Sequence, residues 1–196
     1  MERNRDPGEE DEILEVQESL EDIELARWRP SEADILAIQH LKEAAPPSSD
    51  YPVLGDANEI ERLSLAFQAL ESTEVGRPIA IAIRENGTTI AFGTTEDGAI
   101  AQFDPAANEI TIHDSQKEAS PAVLAAHLAH EGTHVQWAKP DSIEQEYAAF
   151  KAEAEVWNVL KGDESDEQCD WVSAMIAQGE DRAKDEIRSL YDLPEF

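Results

Sequence analysis

Ala126-His127-Leu128-Ala129-His130-Glu131-Gly132-Thr133-His134-Val135 is the stretch that decides how this chain reads. It contains His-Glu-x-x-His. Residues four apart on an α-helix project from one face, so His130 and His134 reach towards one ion. Glu131 sits beside that face, where a carboxylate takes a proton from a water activated by the metal.

Around this stretch a helix is expected from Ser120 to about Ala138. Ser120 is its N-cap and Pro121 occupies the first helical position. On a helical wheel Val123, Leu124, Leu128, Val135 and Trp137 share a broad apolar face. His127, His130, Glu131 and His134 lie in the middle of it. Polar groups at the centre of an apolar face must be paired or bound, because burying them unsatisfied is costly. One such histidine reads as a hydrogen-bonded core residue; three with a glutamate read as a catalytic zinc site.

Downstream, Lys139-Pro140 breaks the helix, and Asp141 with Glu144 reads as a capping box for the next one. That helix runs to Lys161, where Gly162 ends it. Ile143, Tyr147, Phe150, Ala154 and Trp157 make its apolar stripe. Glu144 and Glu155 fall outside the stripe, whereas Glu146 and Glu153 fall within or beside it. Two carboxylates on a buried stripe require a partner, and a cation is the simplest one. One or two closing helices over about 166–190 are anchored by Trp171, Val172, Met175, Ile187 and Leu190.

Upstream, a helix from about Asn58 to Ser72 carries Ile60, Leu63, Leu65, Phe67 and Leu70. Four short strands are expected after it, at Pro78–Arg84, Thr88–Phe92, Ala99–Phe103 and Asn108–His113. Asn86-Gly87 reads as a two-residue hairpin and Asp97-Gly98 as a second turn. Short consecutive connections imply a largely antiparallel meander. The fold class is therefore α+β, a small sheet packed on the motif helix with flanking helices.

The N-terminal part differs in composition. Residues 1–10 are polar, and residues 11–26 repeat Ile13, Leu14, Val16, Leu20, Ile23 and Leu25 at helical spacing among glutamates. Pro30 stops that helix, and Ile35, Ile38 and Leu41 mark another. The expected organisation is an acidic helical extension over 1–45 with a disordered start, a linker over 46–57 and a main domain over 58–196.

At 41 % hydrophobic residues a chain of 196 buries a real core, and with aromatics at only 6 % that core is mostly aliphatic. Asp plus Glu number 44 against 15 Lys plus Arg, a net charge of −29. Such a surface repels nucleic acid and anionic membrane. Cys169 is the only cysteine, so no intramolecular disulfide forms and a reducing compartment fits. The acidic start and the absence of a long apolar run argue against a signal peptide and a membrane span. A cytoplasmic protein is expected.

His130-Glu131-Gly132-Thr133-His134 resembles the active-site helix of the zincin metallopeptidases. The small sheet before it and the helix after it match the order in that family, over roughly residues 57 to 160. The resemblance implies a twisted sheet whose edge strand aligns an extended peptide, with Ala99–Phe103 the candidate and an ordinary inner strand the alternative. It implies zinc held by His130 and His134, with Glu131 as general base and later proton shuttle. No third histidine follows at the metzincin spacing, so the third ligand is expected from the next helix, as in the gluzincin branch. Counted outward from the turn near Pro140 at about 1.5 Å per residue, Glu146 lies level with His134 and Glu153 lies further on. Glu146 is preferred, and it forms with Phe150 a Glu-x-x-x-Phe pattern like that of ImmA/IrrE-type regulatory metallopeptidases. Glu153 is the alternative third ligand, nearer the spacing of thermolysin-like enzymes. Whichever glutamate is unused has a natural role on a ligand histidine's second nitrogen.

The expected activity is hydrolysis of peptide bonds, by an endopeptidase rather than an exopeptidase, through Glu-assisted attack of zinc-bound water on a peptide or protein substrate. His127 is a supporting residue or a packed one, with a ligand role as the lesser alternative. His113 and Tyr147 are weaker candidates for stabilising the transition state, and Cys169 reads as an ordinary thiol. Two other readings stand beside this one: a catalytically silent zinc-binding interaction module, and a latent regulatory peptidase covered by its N-terminal helices.

Overall fold

The computed structural model describes residues 51–137, 142–191 and 193–194. The expected extension over 1–45, and the expected linker as far as residue 50, lie outside the described residues. Helix α1 spans Ala57–Ser72 and opens on a complete capping box: Asp56 accepts from the Asn58 and Glu59 backbone, and the Glu59 side chain accepts from the Asp56 N–H. It buries Leu63, Ala66, Phe67 and Leu70.

Helix α2 spans Gly76–Glu85, where a strand over Pro78–Arg84 is expected from the spacing of Ile79, Ile81 and Ile83. The alternation is one of size and not of polarity, since Ala80 and Ala82 fill the gaps. Read at helical spacing, Ile79, Ala80 and Ile83 form one buried stripe, while Ile81 is 44 % exposed. Pro78 is tolerated because it falls in the first turn, where its missing N–H has no helical partner to lose. Asn86-Gly87 is then the end of this helix and not a hairpin. Gly87 takes φ 65°, its N–H donates to the Arg84 carbonyl, and the Thr88 N–H donates to the Ile83 carbonyl. That is the Schellman closure.

Three strands remain among the described residues: β1 at Thr89–Gly93, β2 at Ala101–Asp104 and β3 at Glu109–His113. The expected meander is corrected here. Strand order is β1-β3-β2, with β2 antiparallel and β1 parallel to β3. The loss of the first expected strand removes the hairpin partner of β1, which pairs with β3 instead. On its other side β1 meets residues 52–54: the Ile90 N–H donates to the Pro52 carbonyl, and the Leu54 N–H to the Ile90 carbonyl. Ile90, Ile110 and Ile112 are fully buried, and β2 is an edge. The fold is α+β, with a mixed sheet and six helices in the described residues.

Helix α3 spans Pro121–Gln136, with Ser120 accepting from the Val123 N–H. Helix α4 spans Ile143–Leu160. Its cap is Ser142, whose hydroxyl accepts from the Gln145 N–H; the expected capping residue Asp141 lies outside the described residues. Helices α5, Glu167–Ala177, and α6, Glu180–Leu190, close the chain. Two apolar clusters result. The larger joins α1, α2, the sheet, α3 and one side of α4. The smaller joins Ile143, Phe150 and Ala154 of α4 to Val172, Met175, Ala183 and Ile187 of α5 and α6. None of the described helices is long and apolar enough to cross a membrane.

Candidate metal centre

Helix α3 is almost wholly buried, and its small residues allow that. Gly132, between the two motif histidines, faces α2: a Cβ built on it would lie 2.4 Å from Ile79 Cγ2 and 2.8 Å from Ile83 Cδ1. The unspecified residue of the motif is thus set by packing. Thr133 returns its hydroxyl to the Ala129 carbonyl at 2.8 Å. Both leave the histidine face free to meet α4.

Across that interface, Nε2 of His130 lies 3.5 Å from Glu146 Oε2, and Nε2 of His134 lies 3.5 Å from Glu146 Oε1. The two rings stand 5.2 Å apart, and Phe150 meets the His130 ring edge-on at 4.6 Å. One donor atom each from His130, His134 and Glu146 fall within 4.8 Å of one another. Ligands of one tetrahedral zinc are separated by roughly 3–4 Å, so this spacing suits the ion.

Glu153 does a different job. Its Oε2 lies 3.0 Å from His130 Nδ1, and its Oε1 lies 3.4 Å from His127 Nδ1. With the Nδ1 hydrogen directed at Glu153, His130 turns the lone pair of Nε2 towards the Glu146 carboxylate. Two electron-rich atoms facing each other require a positive species between them, a proton or a metal ion. The electrostatics say the same. Burial works to lower the His130 pKa, but Glu146 and Glu153 outweigh it and the net shift is well upward. Burial likewise opposes charge on Glu153, yet hydrogen bonds from His127 and His130 hold its carboxyl down at about 2. Glu146 is also lowered, its burial overcome by His130.

Glu131 is buried beside the pair, and its Oε2 accepts from the Phe103 backbone N–H at 2.9 Å. Burial pushes its pKa up, against the nearby His130. That bond ties the motif helix to the outer edge of β2. The cleft above the site is lined on one side of His130 and Glu131 by Ala101, Gln102, Phe103, His134, Trp137 and Glu146. On the other side it is lined by Ala99, Ile100, His127, Phe150, Glu153 and Gln168.

His130, Glu131, His134, Glu146 and Glu153 therefore come together, with His127 behind them. Two other candidates stand apart. His113 caps a short 3-10 turn, its Nδ1 bonded to Ser115. Tyr147 packs on the smaller cluster, beneath the Lys184 ammonium at 5.1 Å from its ring. Tyr191, which sequence reasoning missed, lines both sides of the cleft. Burial, then Glu146, Glu131 and Glu153, push its phenol up to about 12. Lying beyond the last helix, it carries no motif or periodicity that singles it out.

No protein-family model matches the chain, and no curated protein or solved structure does either.

Proposed function

We propose that the chain is a zinc-dependent metallopeptidase of zincin-like build, with a gluzincin-like ligand set. One observation carries the reading: the Nε2 atoms of His130 and His134 each lie 3.5 Å from a different oxygen of Glu146, with Glu131 next to them in the cleft. His130, His134 and Glu146 hold the ion in this reading, and Glu153 orients His130 through Nδ1. When bound, zinc supplies Lewis-acid polarisation of the scissile carbonyl and acidifies water.

The chain's own residues do the rest. Glu131 takes the proton of the attacking water and delivers it to the leaving amine; burial raises its basicity and suits it to that exchange. The outer edge of β2 offers its Ala101 end to an extended peptide by strand addition, and the Phe103 N–H, bonded to Glu131, brings that edge next to the base. Phe150 packs on the His130 ring, and Tyr191 lines the cleft beside Glu131 and Glu146. The substrate is a peptide or an unfolded protein segment, and a peptide bond in mid-chain fits the edge position of β2 among the described strands.

The test is Glu131→Gln. It is expected to keep the fold and the zinc content of the parent chain while abolishing hydrolysis of an unstructured protein substrate. Retained hydrolysis in this variant would remove Glu131 from the chemistry.

A further inference from the structure

A second set of donors lies one helical turn along α3. His127 reaches from α3, Glu153 from α4, and Cys169 from the first turn of α5. All three are buried, at 4 %, 3 % and 0 % exposure. One donor atom of each, a ring nitrogen, a carboxylate oxygen and the sulfur, fall within 4.8 Å of one another. Glu153 serves both clusters with different oxygens: Oε2 meets His130, and Oε1 faces His127 at 3.4 Å.

We propose that His127, Glu153 and Cys169 form a second site, for zinc or a divalent cation of similar softness, which ties α3, α4 and α5 together. This goes beyond the peptidase reading and does not depend on it. Imidazole, carboxylate and thiolate are together a zinc donor set, and alkaline-earth ions do not favour sulfur. Three ligands leave a fourth position, which the adjoining cleft past Gln168 can fill with solvent.

Position and charge both favour the site. Cys169 belongs to the larger apolar cluster, while its neighbours Val172 and Met175 belong to the smaller one. The donors therefore sit where the two cores meet. A chain with a single cysteine has no intramolecular disulfide to staple that junction, and an ion does the same work. Glu131, Glu146 and Glu153 are all buried here, and among the described residues no lysine or arginine lines the cleft. The Glu153 carboxylate and a Cys169 thiolate carry two negative charges, which one dication at this site offsets. Binding displaces the thiol proton to solvent, because a coordinating sulfur is held as thiolate.

The experiment loads the full chain, stripped with a chelator, with Co2+ alone. Cobalt bound to thiolate gives a sulfur-to-metal charge-transfer absorption in the near ultraviolet. Wild type is expected to take two equivalents and to show that absorption. Cys169→Ser is expected to lose the absorption and one equivalent. The double variant His130→Ala/His134→Ala is expected to keep both the absorption and one equivalent. A wild type holding one equivalent with the thiolate band would support this site and count against the peptidase ligand set. Cobalt bound without that band would overturn the second site and leave the first untouched. Should Cys169→Ser fail to fold by circular dichroism, the wild-type spectrum decides alone.

Discussion

The two glutamates of α4 differ in what they face, and each difference has a measurable consequence. Glu146 faces the Nε2 side of both motif histidines, whereas Glu153 faces Nδ1 of His130 and of His127. Removing a ligand takes away a metal bond; removing an orienting carboxylate costs about 10–100-fold in affinity. In a Cys169→Ser background, which removes the second site, Glu146→Ala is therefore expected to weaken zinc binding far more than Glu153→Ala, as read by competition with a chromophoric chelator. Equal affinities would leave the ligand assignment without support. Gly132 makes a second prediction. Alanine is the better helix former by about 1 kcal/mol, but overpacking a core costs about 1–3 kcal/mol. With Ile79 Cγ2 only 2.4 Å from the added methyl, overpacking wins. Gly132→Ala should lower the urea midpoint, and a raised midpoint would mean that α2 yields.

At the level of elements, the segment from Gly76 to Glu85 is ambiguous in its local sequence. Ile-Ala-Ile-Ala-Ile satisfies a strand's period of two and a helix's i, i+4 spacing alike. Packing against Gly132 and the rest of α3 favours the helix, and no local signal carries that information. A strand would put Ile79, Ile81 and Ile83 on one face; the helix puts Ile81 in solvent. Ile83→Ala should cost about 2–5 kcal/mol and Ile81→Lys less than about 0.5 kcal/mol in denaturant unfolding. Comparable losses would restore the strand. The elements after the sheet were more legible, because their signals are local: Ser120-Pro121 opens α3, and Gly162 follows α4 at φ 53°. The pairing of β1 with β3 was not legible, since it follows from the loss of a strand elsewhere. Of the site, His130, Glu131 and His134 came from a motif, and Glu146 and Glu153 from burial of charge on an apolar stripe. Tyr191 had neither.

Across the whole molecule, acid stability reports on how α4 and α5 are held. Asp170 accepts from Ser165 Oγ at 2.6 Å, Trp157 Nε1 at 2.9 Å and Lys161 Nζ at 3.2 Å. Ser165 first, then Trp157, bring its pKa from 3.8 to about 2. A depressed carboxylate pKa gives stability that is full above the unfolded value and is lost as pH falls through the folded one. Asp170→Asn should therefore unfold with a shallower pH dependence between about 4 and about 2, the window set by those two values. An unchanged slope would show that the carboxylate is not held in solution. The direct measurement of the proposed peptidase activity is zinc content alongside hydrolysis of an unstructured protein, for the wild-type chain and for Glu131→Gln. Equal zinc in both and hydrolysis only in the wild type are expected. A wild-type chain that binds no zinc, or a Glu131→Gln variant that still cleaves, would contradict the peptidase reading.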